Sequence, residues 1–225
     1  MCGRYTVRSI QPVAELFGIS LPPEFQPRYN VAPTQDVLVV RSASKEETNA
    51  ARRGDLLRWG LVPSWADDPS MGNRMINARA ETAATRPAFR DAMKRRRCLV
   101  PADGFYEWQK QEGSARKQPH LIRMADDRPF GFAGLWDTWR RGDEMLETFT
   151  ILTTSPNELV APIHDRMPVI VASQDFDRWL DPKVDAAGVA DLLKPYPAEQ
   201  MRAGPVGLGV NNPKNDDPSC VEAWK

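Results

Sequence analysis

The sequence predicts an α+β fold: a single domain over residues 1–225, with a largely antiparallel, barrel-like β core flanked by short helices. Candidate strands outnumber candidate helices, and the two kinds of element do not alternate as they do in doubly wound folds. In addition, 20 prolines and 7 tryptophans indicate many short elements joined by stiff turns. The chain is long enough to bury a core of its own, and no internal repeat marks a second domain.

The first half of the chain is predicted to contain short elements of both kinds. Alternating polarity over residues 4–8 indicates a half-buried strand, and a helix over 12–17 ends at Gly18. The elements that follow are an irregular proline-rich stretch at 22–33, a buried strand at 36–41, a polar mobile loop at 42–54, a strand at 56–62, a helical region entered at 75–82 and a helix at 87–97.

The second half is predicted to be richer in strands. An apolar strand at 98–101 precedes three strands in hairpin order, at 120–124, 129–136 and 148–154. The remaining predicted elements are a short helix at 156–163, a strand at 169–172, helices at 174–180 and 184–193, and one strand in the tail from residue 205.

Composition and charge narrow the class of protein. Lys plus Arg equals Asp plus Glu at 30 each, so any nucleic-acid binding must come from a local basic patch. No run of eighteen apolar residues is present, which argues against a transmembrane helix. Three distant cysteines and two histidines support neither a disulfide framework nor a metal site. We therefore expect reduced thiols in the cytoplasm and no metal. We also expect a monomer without a cofactor.

Cys2 is the first candidate for chemistry. If Met1 is removed, Cys2 carries a free α-amino group and a thiol on adjacent carbons, an arrangement that no internal cysteine offers. Such an aminothiol can serve as an N-terminal nucleophile. It can also condense with an aldehyde to an imine, which the thiol closes to a five-membered thiazolidine. The alternative is an ordinary small residue in a first strand, because reactivity requires a supporting environment.

Glu107 and His164 are candidate proton-transfer groups. Glu107 lies between Tyr106 and Trp108; a buried carboxylate there would have a raised pKa suited to acid–base chemistry, whereas strand alternation would place it in solvent. His164 follows an apolar turn and precedes Asp165. It is either a proton shuttle or a hydrogen-bonded structural histidine.

A further group of residues suggests contact with a ligand. Asn77 is placed to cap a helix, and Arg79 either pairs with Glu81 or reaches a phosphate. Trp65, in a proline-rich loop, either stacks on an exposed base or covers the core. Basic side chains recur at helical spacing, on a face that either tracks a nucleic-acid backbone or is simply solvated: Arg86, Arg90, Lys94 and Arg97.

Six segments, in this order, resemble the SOS response-associated peptidase (SRAP) family over nearly the whole chain. They are Met1–Arg4 (MCGR), Arg28–Pro33 (RYNVAP), Trp59-Gly60, Ile76–Thr82 (INARAET), Asp103–Trp108 (DGFYEW) and Ile163–Pro168 (IHDRMP). The resemblance implies recognition of abasic sites in single-stranded DNA and covalent attachment through a thiazolidine at Cys2. The adduct would shield the lesion, and the protein would be associated with the nucleoid while bound to damaged DNA.

The resemblance also implies roles for individual residues. Cys2 would be the nucleophile after Met1 is lost to an aminopeptidase or to self-cleavage, Asn77 would orient it, and Glu107 and His164 would move protons. The implied DNA contacts are Arg4, Asn30, Pro33, Trp65, Arg79, Arg86, Thr153 and Arg166, with arginine forks suited to phosphate oxygens. One departure is Trp65-Ala66, where the family often has two adjacent tryptophans.

Two other functions remain open from the sequence. One is an N-terminal-nucleophile cysteine peptidase or amidohydrolase that uses Cys2 with Glu107 or His164. The other is a non-catalytic module that binds intact and abasic strands equally, with an affinity that falls with salt.

Overall fold

The computed structural model describes residues 2–43 and 51–224. Within these ranges the chain forms four short α-helices: α1 (Ile10–Phe17), α2 (Ala80–Ala83), α3 (Arg90–Arg95) and α4 (Phe176–Leu180). Its strands are β1 (Tyr5–Val7), β2 (Arg28–Val31), β3 (Asp36–Ser42), β4 (Arg52–Trp59), β5 (Asn77–Arg79), β6 (Arg97–Ala102), β7 (Gly104–Lys110), β8 (Lys117–Met124), β9 (Phe130–Arg141), β10 (Glu144–Thr154), β11 (Met167–Pro168), β12 (Ile170–Val171) and β13 (Met201–Pro205).

A closed barrel forms the centre of the molecule. Its strands follow one another as β10, β4, β3, β6 and β9, and β9 pairs again with β10. All of these pairings are antiparallel except the one between β4 and β10, which is parallel. Closure leaves the five strands without a free edge within the ring. The expected α+β class with a mostly antiparallel, barrel-like core is therefore confirmed.

A second sheet of five strands lies beside the barrel in the order β13, β8, β7, β1 and β2. Its N-terminal strand, β1, is fixed to the barrel by aromatic packing: the ring centroid of Tyr5 lies 5.4 Å from that of Trp59 and 5.8 Å from that of Phe132. These side chains are fully buried. Aromatic pairs of this kind stabilise the fold beyond the effect of burying their apolar area. They therefore fix the position of β1, the strand that follows Cys2.

Several local predictions are confirmed by the structure. The predicted helix at 12–17 corresponds to α1, and Gly18 ends it in the left-handed conformation with φ of 62°. The buried strands at 36–41 and 98–101 correspond to β3 and β6, and the helix at 174–180 overlaps α4.

Other local predictions are wrong, mainly where tertiary pairing decides the structure. The stretch at 22–33 contains β2, and 156–163 forms turns rather than a helix. The helix at 184–193 is a 3-10 helix, Ala187–Leu192. The strand at 120–124 pairs with β7 and β13, not with the strand that follows it. The strand expected in the tail from residue 205 is misplaced: β13 ends at Pro205, and the next residue, Val206, forms an isolated bridge with Ala223.

The predicted mobile loop at 42–54 is only partly described. Ser42 ends β3, and Arg52 begins β4, so both ends of this loop belong to paired strands. Residues 44–50 lie outside the described residues. Among the helices of the described ranges, none combines the length and the apolar character needed to cross a membrane.

Candidate active site and nucleic-acid interface

Cys2 lies just before β1 and is completely buried. Its carbonyl oxygen accepts a hydrogen bond of 2.7 Å from Asn77 Nδ2. Burial raises the pKa of the Cys2 thiol, and the nearby charge of Glu107 acts in the same direction. The thiol is therefore held in its protonated form, and its backbone is held by the Asn77 side chain.

Asn77 owes this position to strand pairing. Asn77, Ala78 and Arg79 form β5, which runs parallel to β10 with Asn77 opposite Ile151. The interpretation of Asn77 as a helix cap is wrong, because α2 begins only at Ala80 and Arg79 precedes it. The side chain of Asn77 is thus available to bind the Cys2 carbonyl.

Glu107 is buried, with 2% of its surface exposed. Its strand, β7, lies between β1 and β8, and residues 104–107 are all buried, so both faces are covered in this part of the strand. Tyr106, the preceding residue, packs against the C-terminal segment and donates its hydroxyl to Tyr29 O at 2.8 Å. The alternative that strand alternation exposes Glu107 is therefore wrong. Burial raises the pKa of Glu107 to about 7.

His164 faces Glu107 from the turn after β10. Its Nε2 lies 3.9 Å from Glu107 Oε2, and a quarter of the side chain is exposed. Its Nδ1 accepts the Arg166 N–H at 3.0 Å and lies 2.9 Å from Asp165 Oδ1. Partial burial lowers the pKa of His164, so near neutral pH the ring is neutral with its proton on Nε2. In the protonated ring, Nδ1 could instead donate to Asp165.

The turn that carries His164 is attached to the same strand as Glu107. Gln109, two residues along β7, donates from Nε2 to Pro162 O at 3.1 Å. Residues two apart on a strand share one face. Gln109 therefore ties the His164 turn to the face on which Glu107 lies.

The C-terminal end of β10 brings two distant segments together. Thr153 lies opposite Arg79 of β5 on one side and Pro168 of β11 on the other. Thr153 is fully buried, and its carbonyl accepts a 2.6 Å hydrogen bond from Arg166 Nη2. The segments 77–82 and 163–168 thus meet on β10, although they are more than eighty residues apart in the chain.

The arginines at this end of β10 have different surroundings. Arg166 binds both carboxylate oxygens of Glu81, at 2.7 and 2.9 Å, and this hydrogen bonding lowers the pKa of Glu81. The pairing suggested for Arg79 and Glu81 is replaced by this one, and the Arg79 side chain is exposed. Arg79 is thus available to bind an external anion. Arg166 is held in place by Glu81 and Thr153, so only its remaining N–H groups could bind such an anion.

Arg4 and Asn30 form a second part of the surface. Arg4 Nη1 donates to Asn30 Oδ1 at 2.9 Å and to Val210 O at 2.8 Å. Asn30 is fully buried on β2, and Pro33 follows that strand and is half-buried. Arg4 forms no ion pair with any carboxylate in the described ranges.

Comparison with known proteins identifies the family of the chain. The SRAP (SOS response associated peptidase) family model matches residues 1–213. The chain belongs to the SRAP family.

Related proteins are similar to this chain over nearly its whole length. The abasic site processing protein YoqW of Bacillus subtilis (strain 168) is 43% identical over 99% of this chain and 100% of its own. YedK of Escherichia coli (strain K12), also named an abasic site processing protein, is 32% identical over 99% of both chains. A crystal structure of a Bacteroides thetaiotaomicron protein superposes with a TM-score of 0.86 at 28% identity, covering 100% of both chains.

The chain has one tryptophan, Trp65, followed by Ala66, where the family often has two adjacent tryptophans. The structure shows how these two positions differ. Trp65 is 56% exposed, so it does not cover the core. Ala66 is buried beside Val62 and Trp139, and its carbonyl accepts a 2.8 Å hydrogen bond from Trp139 Nε1. Position 66 thus anchors the loop, and Trp65 alone faces solvent.

The basic face predicted around α3 is shorter than expected. Arg86, Arg90 and Lys94 are exposed, but Arg97 is buried in β6 and donates to backbone carbonyls such as Trp179 O at 2.6 Å. The proposed stripe therefore ends before Arg97, because α3 ends at Arg95.

Sequence reasoning missed two parts of this region. Gln109 gave no signal beyond being polar in a turn. The second part is the C-terminal segment. The carbonyl of Val210 accepts a hydrogen bond from Arg4, and the carboxylate of Asp216 accepts one from the backbone of β2. An asparagine- and aspartate-rich tail at 211–217 was the only available signal, and it is equally typical of a loop.

A separate cavity of about 620 Å³ lies between α1, β12 and the segment around Tyr196. None of its lining residues belongs to the site around Cys2. Among the described residues, no group of three or more His, Cys, Asp or Glu side chains is arranged to hold a metal ion.

Proposed function

We propose that this protein recognises abasic sites in single-stranded DNA and, after loss of Met1, attaches to them covalently through a thiazolidine at Cys2. The observation that carries the proposal is the full burial of Cys2, whose carbonyl is held by Asn77 at 2.7 Å and whose thiol lies within the electrostatic influence of the buried carboxyl of Glu107. The names of the related proteins, abasic site processing proteins, support the same substrate. The adduct would shield the lesion in the cytoplasm, with the protein acting as a monomer.

The proposed chemistry balances without a cofactor. The Cys2 amine adds to the C1′ aldehyde of the open-chain sugar, and the resulting carbinolamine loses water to give an imine. The thiol sulfur then bonds to the imine carbon while its proton passes to the imine nitrogen. Because the amine attacks first and the thiol delivers its own proton, a protonated thiol is compatible with this sequence.

Glu107 and His164 suit the proton transfers in these steps. A carboxyl with a pKa of about 7 is present in both forms near neutral pH, so it can protonate the departing hydroxyl and later recover the proton. His164, 3.9 Å away, can relay a proton between Glu107 and solvent because part of its ring is exposed. The same groups would assist sugar-ring opening and adduct reversal.

The DNA contacts in the proposal come from a local surface on a chain without net charge. Arg79 and Arg86 are exposed cations, and Arg4 and Arg166 are guanidinium groups already oriented by the protein. Trp65 would stack on an exposed base. Asn30, Pro33 and Thr153 would act mainly by shaping this surface, since each is buried or half-buried.

Intact mass spectrometry before and after exposure to an abasic single-stranded oligonucleotide tests the proposal directly. We expect the mass without Met1 and a denaturation-resistant adduct that is lost in Cys2→Ala. Cys98→Ala, which removes another buried thiol, should form the adduct as wild type does. A Cys2→Ala variant that crosslinks as well as wild type would refute the thiazolidine mechanism.

The alternative, an N-terminal-nucleophile peptidase or amidohydrolase, requires an activated thiolate. Burial and the charge of Glu107 both raise the pKa of the Cys2 thiol, which opposes that activation. Steady turnover of a peptide substrate without DNA would favour this alternative over ours.

A further inference from the structure

The C-terminal segment 210–216 lies along the outer edge of β2. This strand is the last of its sheet and pairs only with β1. The pairing contains a bulge, because Tyr5 lies opposite Val31 while Val7 lies opposite Arg28. Three steps along β2 thus correspond to two along β1. A bulge of this kind leaves backbone groups without partners in the ladder.

Asp216 supplies the missing partners. Its Oδ1 accepts the N–H groups of Tyr29 at 2.6 Å and Asn30 at 2.8 Å. Its Oδ2 accepts from Arg28 Nε. One carboxylate therefore satisfies two consecutive amides of the bulge, which regular strand geometry would direct to opposite sides. Its negative charge is balanced by Arg28 and not by Arg4.

The bulge in turn sets the direction of the Asn30 side chain. Asn30 Nδ2 donates to three carbonyls of the C-terminal segment, those of Asn215 at 2.7 Å and of Val210 and Asn212 at 3.1 Å each. Its Oδ1 accepts from Arg4 Nη1. Since Asn30 is fully buried, this network leaves its amide in a single orientation.

Arg4 is consequently held by neutral oxygens. Asn30 Oδ1 and Val210 O accept from Nη1, and Asn211 O lies 3.5 Å from Nη2. Neutral acceptors orient a guanidinium without cancelling its charge. A phosphate can then bind the remaining N–H groups of Arg4, and little entropy is lost because the side chain is already held in one rotamer.

We infer that Asp216 is a positioning residue for Arg4: it fixes the β2 bulge so that Asn30 and the C-terminal carbonyls present the Arg4 guanidinium to a phosphate of single-stranded DNA. This inference rests on the proposed function for its ligand. Asp216 lies beyond residues 1–213, to which the family model is matched. It would thus make the C-terminal segment part of the DNA surface.

A double-mutant cycle tests the inference on an unmodified single-stranded oligonucleotide, with noncovalent affinity measured at several salt concentrations. We expect Arg4→Ala to weaken binding by about tenfold, as for loss of one charged hydrogen bond, and Asp216→Ala to approach that value. Each should reduce the slope of log K against log salt by about 0.7, the value for one phosphate on a single strand. The double variant should bind no more weakly than Arg4→Ala.

The matched control is Asp217→Ala. Asp217 is the next residue, and its carboxylate accepts hydrogen bonds from Ser219 of its own 3-10 helix, including one of 2.9 Å from Ser219 N. The Asp217→Ala variant should leave unchanged both the affinity for the oligonucleotide and the slope of log K against log salt. If Asp216→Ala fails to fold, as judged by urea unfolding, Asp216→Asn is used in the same cycle, since it lacks the negative charge but keeps the size.

Additive losses in the double variant, or an unchanged salt slope in Asp216→Ala, would overturn the inference, because either result means that Asp216 does not act through Arg4. Absence of single-stranded DNA binding by the wild type would overturn it as well. Failure of the proposed function is a separate result: wild-type protein that binds DNA but forms no adduct with an abasic strand.

Discussion

Replacement of Glu107 by Gln is expected to stabilise the folded protein and to slow the proposed formation of the adduct. The carboxyl is 2% exposed, and burial raises its pKa from an ordinary value of 4.5 to about 7. Glutamine has the same shape and forms hydrogen bonds, but it has no charge to bury. The variant therefore removes the electrostatic cost while keeping the packing.

The size and sign of the effect follow from linkage. Well below pH 4.5 the carboxyl is protonated in both the folded and the unfolded chain, so it imposes no penalty, and at pH 4.5 the penalty is still below about 0.5 kcal/mol. Between pH 4.5 and about 7 the unfolded chain releases its proton and the folded chain retains it, so stability falls as pH rises. Above pH 7 the loss is complete and amounts to about 3 kcal/mol.

Urea unfolding of wild type and Glu107→Gln, at pH 4.5 and pH 8, measures this difference. We expect stabilities within about 0.5 kcal/mol of each other at the lower pH and an advantage of about 3 kcal/mol for the variant at the higher pH. Glu144→Gln, which changes an exposed glutamate on β10, should alter stability by less than about 0.5 kcal/mol at either pH. Adduct formation by Glu107→Gln should be about a hundredfold slower, the lower range for loss of a general acid or base.

Two results would refute the reasoning. A stability difference that is the same at pH 4.5 and pH 8 would mean that Glu107 does not have a raised pKa. A variant that is less stable at both pH values would show that the carboxyl has a structural role. Noncovalent DNA affinity should be nearly unchanged, since Glu107 is too buried to contact the phosphate backbone.

Two further predictions concern the surroundings of the site. Gln109→Ala should slow adduct formation by about fivefold, as for loss of one hydrogen bond, because the His164 turn loses its 3.1 Å bond to β7. Single-turnover kinetics measure this effect, Glu112→Ala on the same hairpin is the control, and an unchanged rate would contradict it. Ala66→Trp should lose about 1–3 kcal/mol in urea unfolding, because position 66 is buried under Trp139. The exposed Trp65→Ala should lose less than about 0.5 kcal/mol, and an Ala66→Trp variant as stable as wild type would show that the loop has room for a second tryptophan.

The sequence predicted those parts of the fold that depend on local signals. α1 was predictable because an apolar face is followed by Gly18, and β6 because a short apolar run follows a basic helix. By contrast, β2 was predicted as irregular. It contains a bulge and is completed by Asp216, a residue 186 positions after Asn30, and no local pattern encodes such a partner.

The candidate site was predictable in identity but not in arrangement. Residue types in short motifs singled out Cys2, Glu107 and His164. Glu107 is buried because it shares a face of β7 with Phe105, which packs against Phe132 of the barrel, and polarity alternation within 103–108 cannot show that. Asn77 was misinterpreted for a related reason: its local sequence is that of a helix start, but pairing with β10 places it in a strand.

The register of β5 against β10 is the feature on which the position of Asn77 depends. In a strand, a slip of one residue turns each side chain to the opposite face. Such a slip would direct Asn77 away from the Cys2 carbonyl and put Ala78 in its place. The register is secured from outside β5, because Trp59 Nε1 donates to Ile76 O at 2.8 Å and Ile151 N donates to the same carbonyl at 3.2 Å. Trp59 packs against Tyr5, so the barrel residue that fixes the position of Asn77 also holds the strand that follows Cys2. The two sides of the 2.7 Å bond between Asn77 and Cys2 thus share one buried support, which accounts for the close approach of residues 75 positions apart.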